Sequence, residues 1–351
     1  MSRFREKSGA RLAPMENFFA QILGLEHGAN IAPLFHVAAY YCVFILLLIP
    51  GYINSLPFKI TLYVLLLCLN FSVTVGIFHL HSHRNLFGPS SKRSQGHTLP
   101  SLRHRIANRL IEVAMTFPSL GTLSDFEVFH ISHHHRLNNS DLDFGSTRGY
   151  EHGWRAVWYW LTFAARVRLW VLKDLYLPSS DALPERLARH RTLMFIDLLG
   201  GLIIVTTLTV IWPQRTLLYW WIPAFFTALN AGFFSWITHA PAQPDESLNA
   251  SINTVNNIMN VLMFNQGYHA IHHEYPGIHW SEIPSRLQEL LVVEDKYIVP
   301  YWVTFFSAWR IVLREGFVDA DFGARWKKNL LAIQASGRQP TLRWLPYFAW
   351  V

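Results

Sequence analysis

Four long apolar stretches, almost free of formal charge, constrain this chain more than any other feature. Residues 33–53 and 60–80 contain no Asp, Glu, Lys or Arg, 194–212 contains one acid (Asp197, near its start), and 216–238 again contains none. Each has about the 20 residues a helix needs to cross a bilayer. In hydrocarbon every backbone N–H and C=O must be satisfied within the protein, which restricts such runs to helices. The loops within each pair are short, "NSLPFK" and "PQR". The expected fold is therefore an all-α integral membrane protein with four transmembrane helices in two hairpins. Composition agrees, because only 15% of residues are charged, against roughly 25% in soluble proteins.

Orientation follows from the basic residues. Of the 30 Lys and Arg, only Lys59 and Arg215 lie within the two pairs. Positive charge stays on the cytoplasmic side, so the N-terminal arm, segment 84–193 and the region after 239 are expected to be cytoplasmic, with both termini inside. The net charge of +7 is explained by this asymmetry, and no Lys/Arg stripe with interleaved aromatics suggests nucleic acid. Cys42 and Cys68 both sit in apolar runs, which implies no disulfide framework. The basic start "MSRFREKSGAR" is not followed directly by an apolar run, so no cleaved leader is expected. The expected organisation is an N-terminal arm (1–32), a catalytic domain (33–286) and a C-terminal cytoplasmic cap or tail (287–351). Trp and Arg at helical spacing in 154–172 suggest an interfacial helix. The stretch 15–25 has a similar, weaker character. The stretch 297–313 is long enough for a fifth span, but Pro300 and Arg310 favour an interfacial or cap helix, and the tail "RWLPYFAWV" is expected to lie on the membrane or pack on the cap.

Histidines are concentrated where this topology would bring them together. "HLHSH" closes the second apolar run with His79 and His83 at i, i+4. "HISHH" supplies His130, His133 and His134 at i, i+3, i+4, "HAIHH" repeats that spacing with His269, His272 and His273, and His239 closes the fourth run. Residues three and four apart share a helix face, so each cluster can aim two or three imidazoles at one point. All four clusters belong at the cytoplasmic surface. Nine imidazoles exceed what one ion takes and suit two. Imidazole accepts Zn, Cu, Fe or Ni, and the lack of a thiolate argues against an iron–sulfur cluster. His27, His36, His97, His104, His152 and His190 are expected to be ordinary packed or surface residues.

At these boxes the chain resembles the membrane-bound fatty acid desaturase superfamily. "HLHSHRNLFG", "FHISHHHRLNNSDLD" and "NQGYHAIHHEYPGIHW" are similar to its first, second and third histidine boxes, over roughly residues 35–285. The resemblance implies a cytoplasmic helical cap holding a non-haem di-iron centre, with O2 as co-substrate. It also implies the ligands His79, His83, His130, His133, His134, His239, His269, His272 and His273, so loss of His133 is expected to cost iron and turnover. His81 and His135 lie off the shared faces. Where animal-type relatives carry an Asn four residues before the span-end His, this chain has Ser235. Asp141 and Asp143, after the second box with Asn138 and Asn139, are expected either to accept ring N–H groups of ligand histidines or to form a polar turn. Asn265, before the third box, has the same two readings.

The chemistry implied is attack on an unactivated C–H bond of a fatty acid or acyl thioester, for which a cofactor is needed. An apolar slot between spans two and four and a basic rim (Arg84, Arg103, Arg136) would receive it. The chain has neither an HPGG segment nor a CxxC pattern, so electrons are expected from an external ferredoxin, rubredoxin or cytochrome with its reductase. Desaturation is the leading reading. The boxes are also shared by alkyl hydroxylases or ketolases and by desaturase-like decarboxylases that make terminal 1-alkenes. "YPGIHW" resembles bacterial members, which suggests a bacterial inner membrane. A non-catalytic membrane metal carrier is the alternative of a different class.

Overall fold

The computed structural model describes residues 18, 20–51, 53–89, 100–119, 121–150, 153–176, 185–240, 251, 253–254, 257–290 and 298–299. The expected C-terminal cap or tail therefore lies almost wholly outside the described residues. The same holds for 297–313 apart from 298–299.

The elements that position the site are α1 (Gly28–Leu48), α2 (Leu56–His83), α3 (Leu102–Thr116), α4 (123–137), α5 (Gly153–Tyr176), α6 (Glu185–Ile211), α7 (Pro213–His239), α8 (Asn257–Leu262), α9 (His269–Glu274) and α10 (Ile283–Leu290). Among the described residues, four helices are long and apolar enough to cross a membrane: α1, α2, α6 from His190, and α7. Each of the four expected spans falls on one of these helices, with shifted ends. The helix α1 begins before Pro33 because His27 Nδ1 accepts the Ala29 N–H at 3.1 Å. It stops at Leu48, just before Pro50 and the left-handed Gly51 (φ +87°). The helix α2 starts at a proline-marked first turn and runs unbroken through its histidines. Large apolar side chains such as Ile45, Val64, Phe195, Ile203 and Phe225 remain exposed on these helices, as lipid-facing surfaces require.

Two buried polar side chains of the spans, Asn70 and Asp197, are paired across elements. Asn70 on α2 accepts from Thr227 of α7 at 2.6 Å and donates to the Pro118 carbonyl at 3.1 Å, tying two spans to the loop after α3. Asp197, the single acid in the third span, is buried and forms a forked ion pair with Arg109 of α3. The amphipathic helix α5 buries Ala156, Tyr159 and Trp160 along α7 and leaves Trp154, Trp158 and Leu161 exposed.

Two glycines set close approaches. At Gly232, a Cβ would stand 2.6 Å from the Trp160 carbonyl oxygen, so α5 lies directly on α7. At Gly76, a Cβ would stand 2.9 Å from the Leu262 carbonyl oxygen and 3.2 Å from Met263 Cα. These are backbone atoms with no rotamer to change. Gly76→Ala is therefore expected to destabilise the protein by about 1–3 kcal/mol, read as a lower unfolding temperature in detergent. An unchanged unfolding temperature would show that the 262–264 segment moves freely.

Candidate metal centre

The ends of α2 and α7, the middle of α4 and the short helix α9 bring nine imidazoles together. His79, His83, His130, His135 and His272 form one group, and His134, His239, His269 and His273 form the other. Within each group the candidate ligand nitrogens lie within 4.8 Å of one another. His79 Nε2 and His272 Nε2 stand 2.7 Å apart, and His135 Nε2 is 3.0 Å from His130 Nε2 and 3.1 Å from His272 Nε2. In the second group His239 Nε2 is 3.1 Å from His134 Nε2 and 3.0 Å from His269 Nε2.

Eight of the nine sequence-predicted ligands fall within these groups, and His133 does not. Its ring lies edge-on to Trp170 with centroids 3.9 Å apart, its Nε2 is 3.9 Å from an Asp174 oxygen, and its side chain is 26% exposed. His135 takes its place. The cause is local backbone geometry. Residues His130–His134 are π-helical, and the His135 N–H bonds to the His130 carbonyl, an i→i+5 step. Such a turn holds one residue more than an α-turn, so the face of His130 returns at 134 and 135 instead of 133 and 134. The same letters read as HxxxHH carry that alternative, whereas an α-helical spacing rule selects 133 and 134.

His81 also lies outside both groups. It is buried, its Nδ1 accepts the Leu86 N–H at 3.3 Å, and its Nε2 is 3.5 Å from Glu112. His27, His36, His104 and His190 likewise stand apart from both groups, whereas His97 and His152 lie outside the described residues.

The loop after α4 is built around one carboxylate. Asp143 is 3% exposed and accepts the His134 Nδ1–H at 2.8 Å. Its oxygens also accept the Asn139 N–H at 3.1 Å and the Gly145 N–H at 2.8 Å. Burial opposes the charge, but His134 and the Gly145 N–H outweigh it and hold the carboxyl down at about 2. Asn138 and Asn139 adopt left-handed backbone (φ 49° and 62°), which Asn tolerates. The Asn139 side chain donates to the His239 carbonyl at 3.2 Å, joining this loop to the end of α7. Asp141, by contrast, is exposed and paired with Arg148. Ser235 shares a 2.9 Å hydrogen bond with the Tyr159 hydroxyl. Before the third box, Phe264 and Asn265 are also left-handed (φ 49° and 64°), and the Asn265 side chain donates to the Trp280 carbonyl at 3.0 Å. A bulky residue at such a φ is strained, and strain of this kind collects at functional sites.

The donor set fits metal ions. Two nitrogens bound to one ion at about 2.1 Å stand roughly 3 Å apart, which matches the spacings above. His83 Nε2 and His273 Nε2 are buried without any hydrogen-bond partner. Burial, reinforced by the neighbouring imidazoles, pushes His130, His269, His272 and His273 well below the usual histidine range and His135 to about 2. This favours the neutral form that binds metal.

Four membrane-length helices with nine imidazoles gathered in two groups define a helical membrane protein with a histidine-lined candidate metal centre. The family model described as fatty acid desaturase matches residues 54–305, a span that includes every member of both groups, and the chain belongs to that family. A comparison with curated proteins found no match.

Proposed function

We propose that this protein is an O2-dependent fatty acyl desaturase whose two histidine groups each hold an iron ion. The observation that carries the reading is the pair of all-imidazole groups, of five and four members, in a chain of this family. Imidazole alone does not select iron, and the family supports that choice. The bound metal pair would supply the oxidising power that side-chain acid–base chemistry lacks. The protein's part is positioning. The first group would be held by His79, His83, His130, His135 and His272, and the second by His134, His239, His269 and His273. Asp143 fixes the ring of His134, so that Nε2 presents its lone pair to the second group.

In this reading the four spans form two hairpins whose tips face outward. Segment 84–193 forms a cytoplasmic cap, and residues 33–286 make up the catalytic domain between the arm and the tail. The acyl chain lies between α2 and α7, beside both groups. Arg84 is engaged by Glu26 and the Gly277 carbonyl, and Arg103 by the Ile22 carbonyl. Exposed Arg136, next to His135, is the best placed of the three rim residues for a substrate head group. A separate one-electron donor supplies the reducing equivalents.

The test is turnover of iron-loaded, reconstituted protein with a ferredoxin reducing system and saturated acyl substrates, offered as free acids and as thioesters. The expected product retains its carbon number and is lighter by two hydrogens. A hydroxylated chain, or an alkene one carbon shorter, would overturn desaturation. Metal binding with no O2 consumption would point to a carrier.

A further inference from the structure

The two histidine groups differ in how they meet the surface. A cleft with ≈ 330 Å³ of empty space, part of it open to solvent, reaches the first group and is lined by His83, His272, Arg84, Gln266 and Ile278, among others. Its interior is narrow, with room for molecules near the size of water. Two buried polar atoms of its lining residues have no hydrogen-bond partner, His83 Nε2 and Gln266 Oε1. Gln266 is 2% exposed. A buried amide oxygen left without a donor is destabilising, and an orphan of this kind calls for a ligand. Within the first group, His79, His130, His135 and His272 have close nitrogen neighbours. His83 and His272 are the members of this group that line the cleft.

We infer that this cleft is an exchangeable small-ligand site at the first histidine group, with the Gln266 amide as its hydrogen-bonding wall. The inference rests on the metal reading above. The resting occupant is a water that donates to Gln266 Oε1. A small anion replaces it after the amide rotates to present its NH2. The cleft gives such ligands an approach separate from the acyl slot between α2 and α7.

The test uses cobalt(II) alone as the metal and sodium azide as the probe. Full-length protein is loaded with cobalt, metal is counted per chain, and the visible spectrum is followed through an azide titration. The wild type is expected to hold two cobalt ions and to show a saturable spectral shift. Gln266→Leu should weaken azide binding by about tenfold, and Ile278→Trp should abolish the shift with both ions retained. Two bound ions with no azide response, or equal responses in all three proteins, would overturn the cleft site and leave the metal reading standing. Failure to bind cobalt at all would overturn both. Should Gln266→Leu bind less cobalt than the parent, Ile278→Trp decides alone, since its side chain belongs to neither group.

Discussion

His135→Ala is expected to lose metal from the first group and to fall in turnover by more than 100-fold, while His133→Ala keeps both ions and stays within about tenfold of the parent. Supporting contacts around a metal are typically worth 10–100-fold, and removal of a ligand should exceed that. His135 Nε2 lies 3.0 Å from His130 Nε2 and 3.1 Å from His272 Nε2, deep in the first group. His133 is turned against Trp170 and Asp174. Its truncation removes a partly exposed ring and an edge contact, for which a small loss of stability is expected. The measurement is iron per chain after passage over a chelator, paired with turnover by both variants. Iron loss in His133→Ala with retention in His135→Ala would restore the α-helical reading of the box and remove the π-turn from the account.

That pair of variants also shows where sequence reasoning reaches its end. The four spans were legible because the bilayer imposes length and the near absence of charge, and both survive in the letters. Their ends were less legible. The histidine end of α2 continues beyond the apolar run, and the start of α1 is set by a capping His27 that hydropathy does not register. The histidine clusters could be read because i, i+3 and i+4 spacing is a property of the regular helix. The exchange of His133 for His135 could not, because π-turns arise from packing of the whole segment, and "HISHHH" admits both registers. Asp143 was legible only as one of two acids after the box. What separates it from Asp141 is the fold of the loop, which buries one carboxylate against His134 and leaves the other with Arg148 at the surface. Gln266 stood in view beside the third box with no role, since its significance lies in a missing partner, and letters do not show partners.

Asp143→Asn should lower metal affinity at the second group by about 10–100-fold, with turnover falling in step. Asp143 only accepts, so the proton of His134 must sit on Nδ1, and Nε2 is left with the lone pair that faces His239 and its neighbours. An asparagine keeps one of the two loop bonds, because its carbonyl oxygen still accepts the Gly145 N–H on the Oδ1 side, and gives up the bond from the Asn139 N–H to the Oδ2 position. Its NH2 then points at His134 Nδ1 and donates to it. That hydrogen bond moves the imidazole proton to Nε2, where it blocks the ligand position. Side-chain volume barely changes, so the fold should hold and the unfolding temperature should move little compared with the loss of metal. The check is competition for iron against a chelator of known strength, with the first group's ion as an internal reference in the same protein. An Asp143→Asn protein that keeps both ions as tightly as the parent would show that His134 is oriented by its helix alone. Loss of both ions together with a collapsed unfolding temperature would assign Asp143 to building the 138–147 loop instead of tuning His134.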